Sequence, residues 1–226
     1  MNKAERNTRI IVLSPHPDDE TLGAGGMLLR YKVEGAQTFW LNITDMYEEA
    51  GFTVDKINQR KSEINNVINA YQFDDFFNLK LPSTGLDKLS KNSIIQKISS
   101  ILNRVKPNIV ILPYKHDVHS DHRIVFDCGF SSSKVFRFSS IKKILAMEVV
   151  SETDYTYYEN GFCPNYFVNI TGTIEKKLEI MKIYKDEYFD HPFPRSLETL
   201  KALAKFRGSQ AGFDYAESFI IIKEVE

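Results

Sequence analysis

The sequence predicts a single α/β domain over residues 1–226, built on a mainly parallel sheet with helices on both faces. Three observations carry this expectation. Short β-branched apolar runs alternate with longer segments whose apolar residues recur at helical spacing. The 226 residues suffice for one sizeable core, and no linker-like stretch divides them. Two clusters of histidine and acid, at 14–20 and 116–122, each follow an apolar run. Open α/β sheets bind their ligands in that place, at the carboxyl ends of strands.

Taken in order, Arg9-Ile10-Ile11-Val12-Leu13 reads as a buried strand over 9–14. A glycine-bearing turn leads into a helix over 22–34, ended by Gly35. Residues 37–43 form a second strand, and 44–54 a polar loop. A helix from Asp55 carries Ile57, Ile64, Val67, Ile68 and Tyr71 on one stripe, with Arg60 on the same stripe. A charge there must be paired or face a cleft; Glu63, three residues on, is one available partner. A weak third strand spans 73–79, and 81–86 is a turn. Ile94, Ile98, Leu102 and Val105 mark an amphipathic helix that Pro107 stops. A strand at 108–112 precedes the second cluster, which opens a helix at about 121–130. An apolar run over 144–150 with Glu148 inside it, an aromatic segment over 155–167 that reads as loop or short strand, and a helix over 174–189 follow. The His191–Arg195 stretch breaks the chain with two prolines. Ser196 caps a last helix that Gly208 ends, and 217–225 is the final strand.

Formal net charge is −1. That gives no general attraction to nucleic acid or to an anionic membrane, and neither is expected as a partner. No stretch approaches the roughly 18 apolar residues of a membrane span. The polar start, Met1 to Arg6, lacks the apolar core of a signal peptide. Cys128 and Cys163 have no CxxC spacing, so a reduced, cytoplasmic compartment is expected.

Four of the five histidines fall in the two clusters: His16, His116, His119 and His122. Imidazole and carboxylate at strand ends suit Zn²⁺, whose catalytic sites keep three protein ligands and an open position for water. His16, Asp19 and His122 would supply those three. Asp18, adjacent to a ligand, can face the water without binding metal, as a general base must. His119 and His122 lie one helical turn apart, so one can bind metal while the other reaches substrate, stabilising an oxyanion or protonating a leaving amine. Asp121 between them is placed to orient a ligand. The same N₂O donor set accepts Fe²⁺ or another divalent cation. Gly23-Ala24-Gly25-Gly26 follows a strand as a dinucleotide fingerprint would, but the third glycine position is Leu28 and the preceding acids would repel a pyrophosphate. Close packing of helix on sheet is the simpler reading of those glycines.

The segment His16-Pro17-Asp18-Asp19-Glu20 with glycines 23, 25 and 26, together with His119-Ser120-Asp121-His122-Arg123, resembles the PIG-L/LmbE family of zinc-dependent N-deacetylases. Weaker similarities continue through Arg60-x-x-Glu63, Pro192-x-Pro194-Arg195-Ser196, Arg207-Gly208 and Ala216-Glu217-Ser218-Phe219. The resemblance implies a Rossmann-like fold and removal of the acetyl group from an N-acetyl amino sugar or sugar conjugate. It implies His16, Asp19 and His122 as metal ligands, Asp18 as base and His119 as its electrostatic or acid partner. Arg60 would then hold the sugar. Some members carry a sugar-binding aspartate after the third strand; here that loop offers Asp87, Thr84 or no equivalent. Two other functions stand beside this one: an amidase for a larger acyl amide, and a nucleotide- or metabolite-binding module without turnover. The aromatic 155–167 stretch offers a surface for homo-oligomer formation.

Overall fold

In the computed structural model, which describes residues 8–226, the apolar runs form seven strands among the described residues. They are β1 (Arg9–Ser14), β2 (Gln37–Asp45), β3 (Asp75–Pro82), β4 (Ile109–Leu112), β5 (Lys143–Met147), β6 (Tyr166–Asn169) and β7 (Ala216–Glu224). The helices are α1 (Asp19–Val33), α2 (Val54–Tyr71), α3 (Lys91–Val105), α4 (Ser120–Ser132), α5 (Ile174–Met181) and α6 (Leu197–Ala211). The N-terminal stretch 1–6, read above as lacking a signal peptide, lies outside the described residues. No helix among the described residues is long and apolar enough to cross a membrane.

One sheet has the order β3-β2-β1-β4-β5-β7-β6. The pairs from β3 to β5 are parallel, and β7 runs antiparallel between β5 and β6. Alternation along β1 assigns its side chains to two cores. Ile10 and Val12 pack with α1, α2, α5 and α6. Ile11 and Leu13 pack on the other face with α3 and α4. The result is a three-layer, Rossmann-like sandwich. The order of strands reverses between β1 and β4, and the loops leaving those two strands carry the two histidine clusters. A cleft at this switch point is the geometric expectation for such a sheet.

Several elements depart from the sequence expectation, each for a local reason. The helix expected over 174–189 stops at Met181. Beyond it the backbone tightens into three-residue turns, Ile183 N–H to Ile180 O, Tyr184 N–H to Met181 O and Glu187 N–H to Tyr184 O. This turns Tyr184 into the core and carries Glu187 to the cleft. Ser196 does cap α6, but Gly208 does not end it. Gly208 sits within the helix, where a Cβ would meet Phe213 O at 2.6 Å, and Gly212, at φ 75°, closes the helix instead. Strands β2 and β3 run on to Asp45 and Pro82, through positions expected as loop and turn. Pro82 is tolerated because β3 is an edge strand.

The glycines of α1 are packing positions. A Cβ on Gly25 would stand 2.4 Å from the Tyr71 hydroxyl, and one on Gly26 2.7 Å from Ile170. The middle of this helix is also gripped from outside. The Glu217 carboxylate accepts the amides of Gly26 and Met27, each at 2.7 Å. Lys177 Nζ donates to Glu217 Oε1 at 2.7 Å and to Leu22 O at 2.8 Å. All of these groups are buried. Glu217→Ala therefore leaves a buried ammonium without its counter-charge, and should cost about 3–5 kcal/mol. Urea unfolding would measure it; a loss below about 1 kcal/mol, the range of an exposed ion pair, would contradict the account.

Candidate metal centre

The loop after β1 turns sharply. Asp18, the residue before α1, has φ 131°, which L side chains rarely adopt. This turn sets Asp19 at the start of α1 and returns the Asp19 carboxylate to the loop, where Oδ2 accepts the His16 N–H at 2.8 Å. His119 caps α4, its Nδ1 accepting the Asp121 N–H at 3.1 Å. His122 then points from the first turn of α4 toward Asp19.

Each of two imidazoles has one nitrogen occupied by a carboxylate. His16 Nε2 lies 3.1 Å from Asp121 Oδ2, and His122 Nδ1 lies 2.8 Å from Asp117 Oδ2. The remaining nitrogens converge. His16 Nδ1 is 3.6 Å and His122 Nε2 is 3.3 Å from the same oxygen, Asp19 Oδ2. Donor atoms of His16, Asp19 and His122 all lie within 4.8 Å of one another. A second trio, His16, His119 and Asp121, meets the same distance. Its carboxylate is already engaged, because Asp121 also accepts the amides of Thr84 at 2.7 Å and Leu86 at 3.2 Å. In the first trio both histidines present the nitrogen that no other carboxylate occupies.

The electrostatics favour a cation there. Asp18, Asp19, Asp117 and Asp121 are all buried, and buried carboxylates need opposing charge. Burial alone would raise Asp19, yet His122 and His16 hold it below the usual carboxylate range. Burial would lower His122, and the two aspartates on its nitrogens raise it instead. The residues thus fit a divalent metal: two imidazoles with carboxylate-fixed tautomers and one carboxylate, the N/O set that zinc accepts.

Beside this trio lies a cleft of about 180 Å³, open to solvent and lined by His16 and, among others, by Asp18, Asp45, Arg60, His119, Glu187 and Arg195. Asp18 Oδ2 is held by Arg195 Nη1 at 2.8 Å, which leaves Oδ1 to face a reactant. Burial lifts the Asp18 carboxyl well above the ordinary range, with Arg195 opposing. Burial beside His16 and His122 lowers His119 to about 4. With Nδ1 accepting a backbone amide, a neutral His119 carries its hydrogen on Nε2. Arg60 is buried on α2, donating to Pro17 O at 2.9 Å and pairing with Glu187 and Glu63.

Other positions weighed in the sequence lie elsewhere. His116 is half-buried, edge-on to Tyr114, and His191 is exposed. Asp87 is exposed, and Thr84 serves Asp121 through its backbone. Glu148 is engaged by Arg207 and Ser218. Sequence reasoning gave no chemistry to Asp117, and took Arg195 for part of a proline-stiffened surface loop sooner than for the edge of a substrate cleft. Asp117 could have been noticed as an acid five residues before a metal-ligand histidine. Arg195 stood out only in the weak Pro192-x-Pro194-Arg195-Ser196 similarity, which did not reveal its partners, because Asp18, Ser151 and Glu152 are remote in sequence.

Residues 11–131 match the family model PIG-L, described as GlcNAc-PI de-N-acetylase. That span holds both clusters and more than half the chain. The chain belongs to the PIG-L family. Diacetylchitobiose deacetylase of Thermococcus kodakarensis is 24% identical over 92% of this chain and 81% of its own length. The conserved protein TT1542 of Thermus thermophilus superposes with TM-score 0.76 and 25% identity, over 96% of each chain. GalB of Pseudomonas putida, a 4-carboxy-2-hydroxymuconate hydratase, superposes with TM-score 0.77 at 15% identity, covering 97% of this chain and 98% of that one. This last likeness is one of fold alone, and it shows that the PIG-L fold also carries other chemistry.

Proposed function

We propose that the protein is a metal-dependent N-deacetylase, which hydrolyses the acetamido group of an N-acetylated amino sugar or sugar conjugate and releases acetate. One observation carries the reading: two imidazole nitrogens and the Asp19 carboxylate converge next to a buried carboxylate, Asp18, that with His16 lines an open cleft. Family membership and the diacetylchitobiose deacetylase relative support it.

His16, Asp19 and His122 hold the metal, which we take to be Zn²⁺; Fe²⁺ suits the same donors. Bound there, the cation supplies Lewis acidity toward an amide carbonyl and acidifies water. Asp18 Oδ1 takes the proton of the attacking water, and its raised affinity for protons suits that task. His119 Nε2–H donates to the oxyanion that develops on the carbonyl oxygen. The proton held on Asp18 is then delivered to the departing amine. Asp121 and Asp117 fix the tautomers of His16 and His122, and Arg60 with Arg195 forms the wall against which the sugar lies. One domain carries the whole set. We place it in the cytoplasm, as its two free thiols, Cys128 and Cys163, accord with a reducing compartment. The exposed Tyr155, Tyr157 and Tyr158 form the surface for a homo-oligomer.

The test is acetate release from a panel of N-acetylglucosamine derivatives, with metal content measured on the same preparation. The panel includes longer N-acyl analogues. Acetate release by a metal-loaded chain is expected. Metal without hydrolysis of any acetamido sugar would overturn the deacetylase reading, and turnover of the longer acyl amides alone would establish the amidase. A second measurement checks the ligand support: Asp117→Asn should weaken zinc affinity by roughly 10–100-fold in competition with a chromophoric chelator. An unchanged affinity would remove Asp117 from the centre.

A further inference from the structure

The peptide between Pro17 and Asp18 is held on both sides. Its carbonyl oxygen accepts Arg60 Nη1–H at 2.9 Å. Its N–H, that of Asp18, donates to Glu20 Oε2 at 3.0 Å. Glu20 is fully buried and its other oxygen is taken as well: Oε1 accepts Thr21 Oγ1–H and Tyr184 O–H, both at 2.7 Å. Tyr71 O–H donates to Thr21 Oγ1 at 3.1 Å. Tyr184 joins the two grips, since its ring lies 5.4 Å from the Arg60 guanidinium carbon. Beneath Asp18 there is thus a closed polar layer drawn from α1, α2 and the turns after α5.

We infer that Glu20 is a positioning residue for the reaction. By accepting the Asp18 amide it imposes the left-handed backbone at Asp18 and so aims the proposed base at the reacting atoms. The inference rests on Asp18 acting in the proposed deacetylation, but the backbone geometry it explains does not. Three features support the assignment. A fully buried carboxylate is costly unless each oxygen is bonded, and here each is. The backbone it holds is one that L side chains adopt only when surroundings over-determine it. The peptide it holds leads directly into Asp18, so a tilt there moves the base relative to the cleft while the His16, Asp19 and His122 donors keep their other anchors.

Glu20→Met and Glu20→Gln separate positioning from mere filling of space. Methionine keeps the length of the side chain and removes both acceptors. Glutamine keeps one acceptor for the Asp18 amide, and both hydroxyls can turn to accept from its amide nitrogen. With Glu20→Met, kcat should fall roughly 10–100-fold, the scale of a misplaced catalytic group, while KM and zinc content stay at wild-type values. Glu20→Gln should recover most of the kcat. In a crystal structure of Glu20→Met, Asp18 φ should leave the region near 131° for negative values. Asp18 unmoved in that structure, or glutamine as damaging as methionine, would overturn the inference; so would a kcat loss matched by metal loss. Should Glu20→Met fail to fold, Tyr184→Phe, which removes a single bond to Glu20, is expected to lower kcat with metal retained, and an unaltered kcat would count against it. Should the wild type hydrolyse no acetamide at all, the proposed function fails, and the Asp18 backbone in the variant structures still decides this inference.

Discussion

An Asp18→Asn enzyme is expected to bind zinc at wild-type stoichiometry and to release acetate roughly 10²–10⁴-fold more slowly, the range for loss of a general acid–base group. The substitution keeps the size of the side chain. The backbone grips on either side of it are main-chain bonds, to Arg60 and Glu20, and survive. Oδ2 faces the Arg195 guanidinium, and the asparagine oxygen can take that place. What is lost is the proton acceptor alone. The effect should therefore appear in kcat, with KM little changed. A variant retaining more than a tenth of the wild-type kcat would move the base elsewhere, and among the cleft residues Glu152 would be the next carboxylate to test.

Stripping the metal should have the second largest effect. Dialysis against a chelator is expected to abolish acetate release, and stoichiometric Zn²⁺ to restore it. Stability should fall as well, because a ligand bound only by the folded chain stabilises by mass action, about 4 kcal/mol at a thousandfold excess over its Kd. For a chain of this size each kcal/mol shifts the melting temperature by roughly 2–4 °C. The loss should be marked here, since the buried carboxylates of Asp18, Asp117 and Asp121 surround the trio, itself holding the buried Asp19, and the cation that balances them is gone. Catalysis that persists in fully stripped protein would refute the metal centre. Unchanged melting would show that His122 alone satisfies the charge of Asp19 and Asp117.

Much of this arrangement was legible in the residues. The strand at 9–14, the helix stripes and the two clusters come from periodicity and from donor types at strand ends, all local signals. Arg60 stood out because a cation on an apolar stripe needs a partner, and it has Glu63, Glu187 and Pro17 O. The supporting groups were hidden for the opposite reason. Arg195 is 177 residues from Asp18, and Tyr184 is 164 residues from Glu20. No spacing rule connects positions so far apart. The helix expected over 174–189 concealed them further: apolar spacing at Tyr184 and Tyr188 is compatible with a helix, while the turns that replace it are set by where those rings and Glu187 find partners. The gripping of α1 by Glu217 was equally silent, because a glutamate in a strand carries no sign of accepting amides from another element.

The placement of β7 bears on how the protein is made. This strand enters between β5 and β6, and among the described residues β6 has no other strand neighbour. A nascent chain that has not yet extended past residue 216 holds every residue of both histidine clusters, yet β6 is unpaired and the amides of Gly26 and Met27 lack Glu217. Ribosomal stalling or a premature stop in that interval would release chains with a full set of ligands on an unsecured helix. Such fragments would scavenge metal without turning over substrate, and their unpaired β5 and β6 edges would make them targets for chaperones.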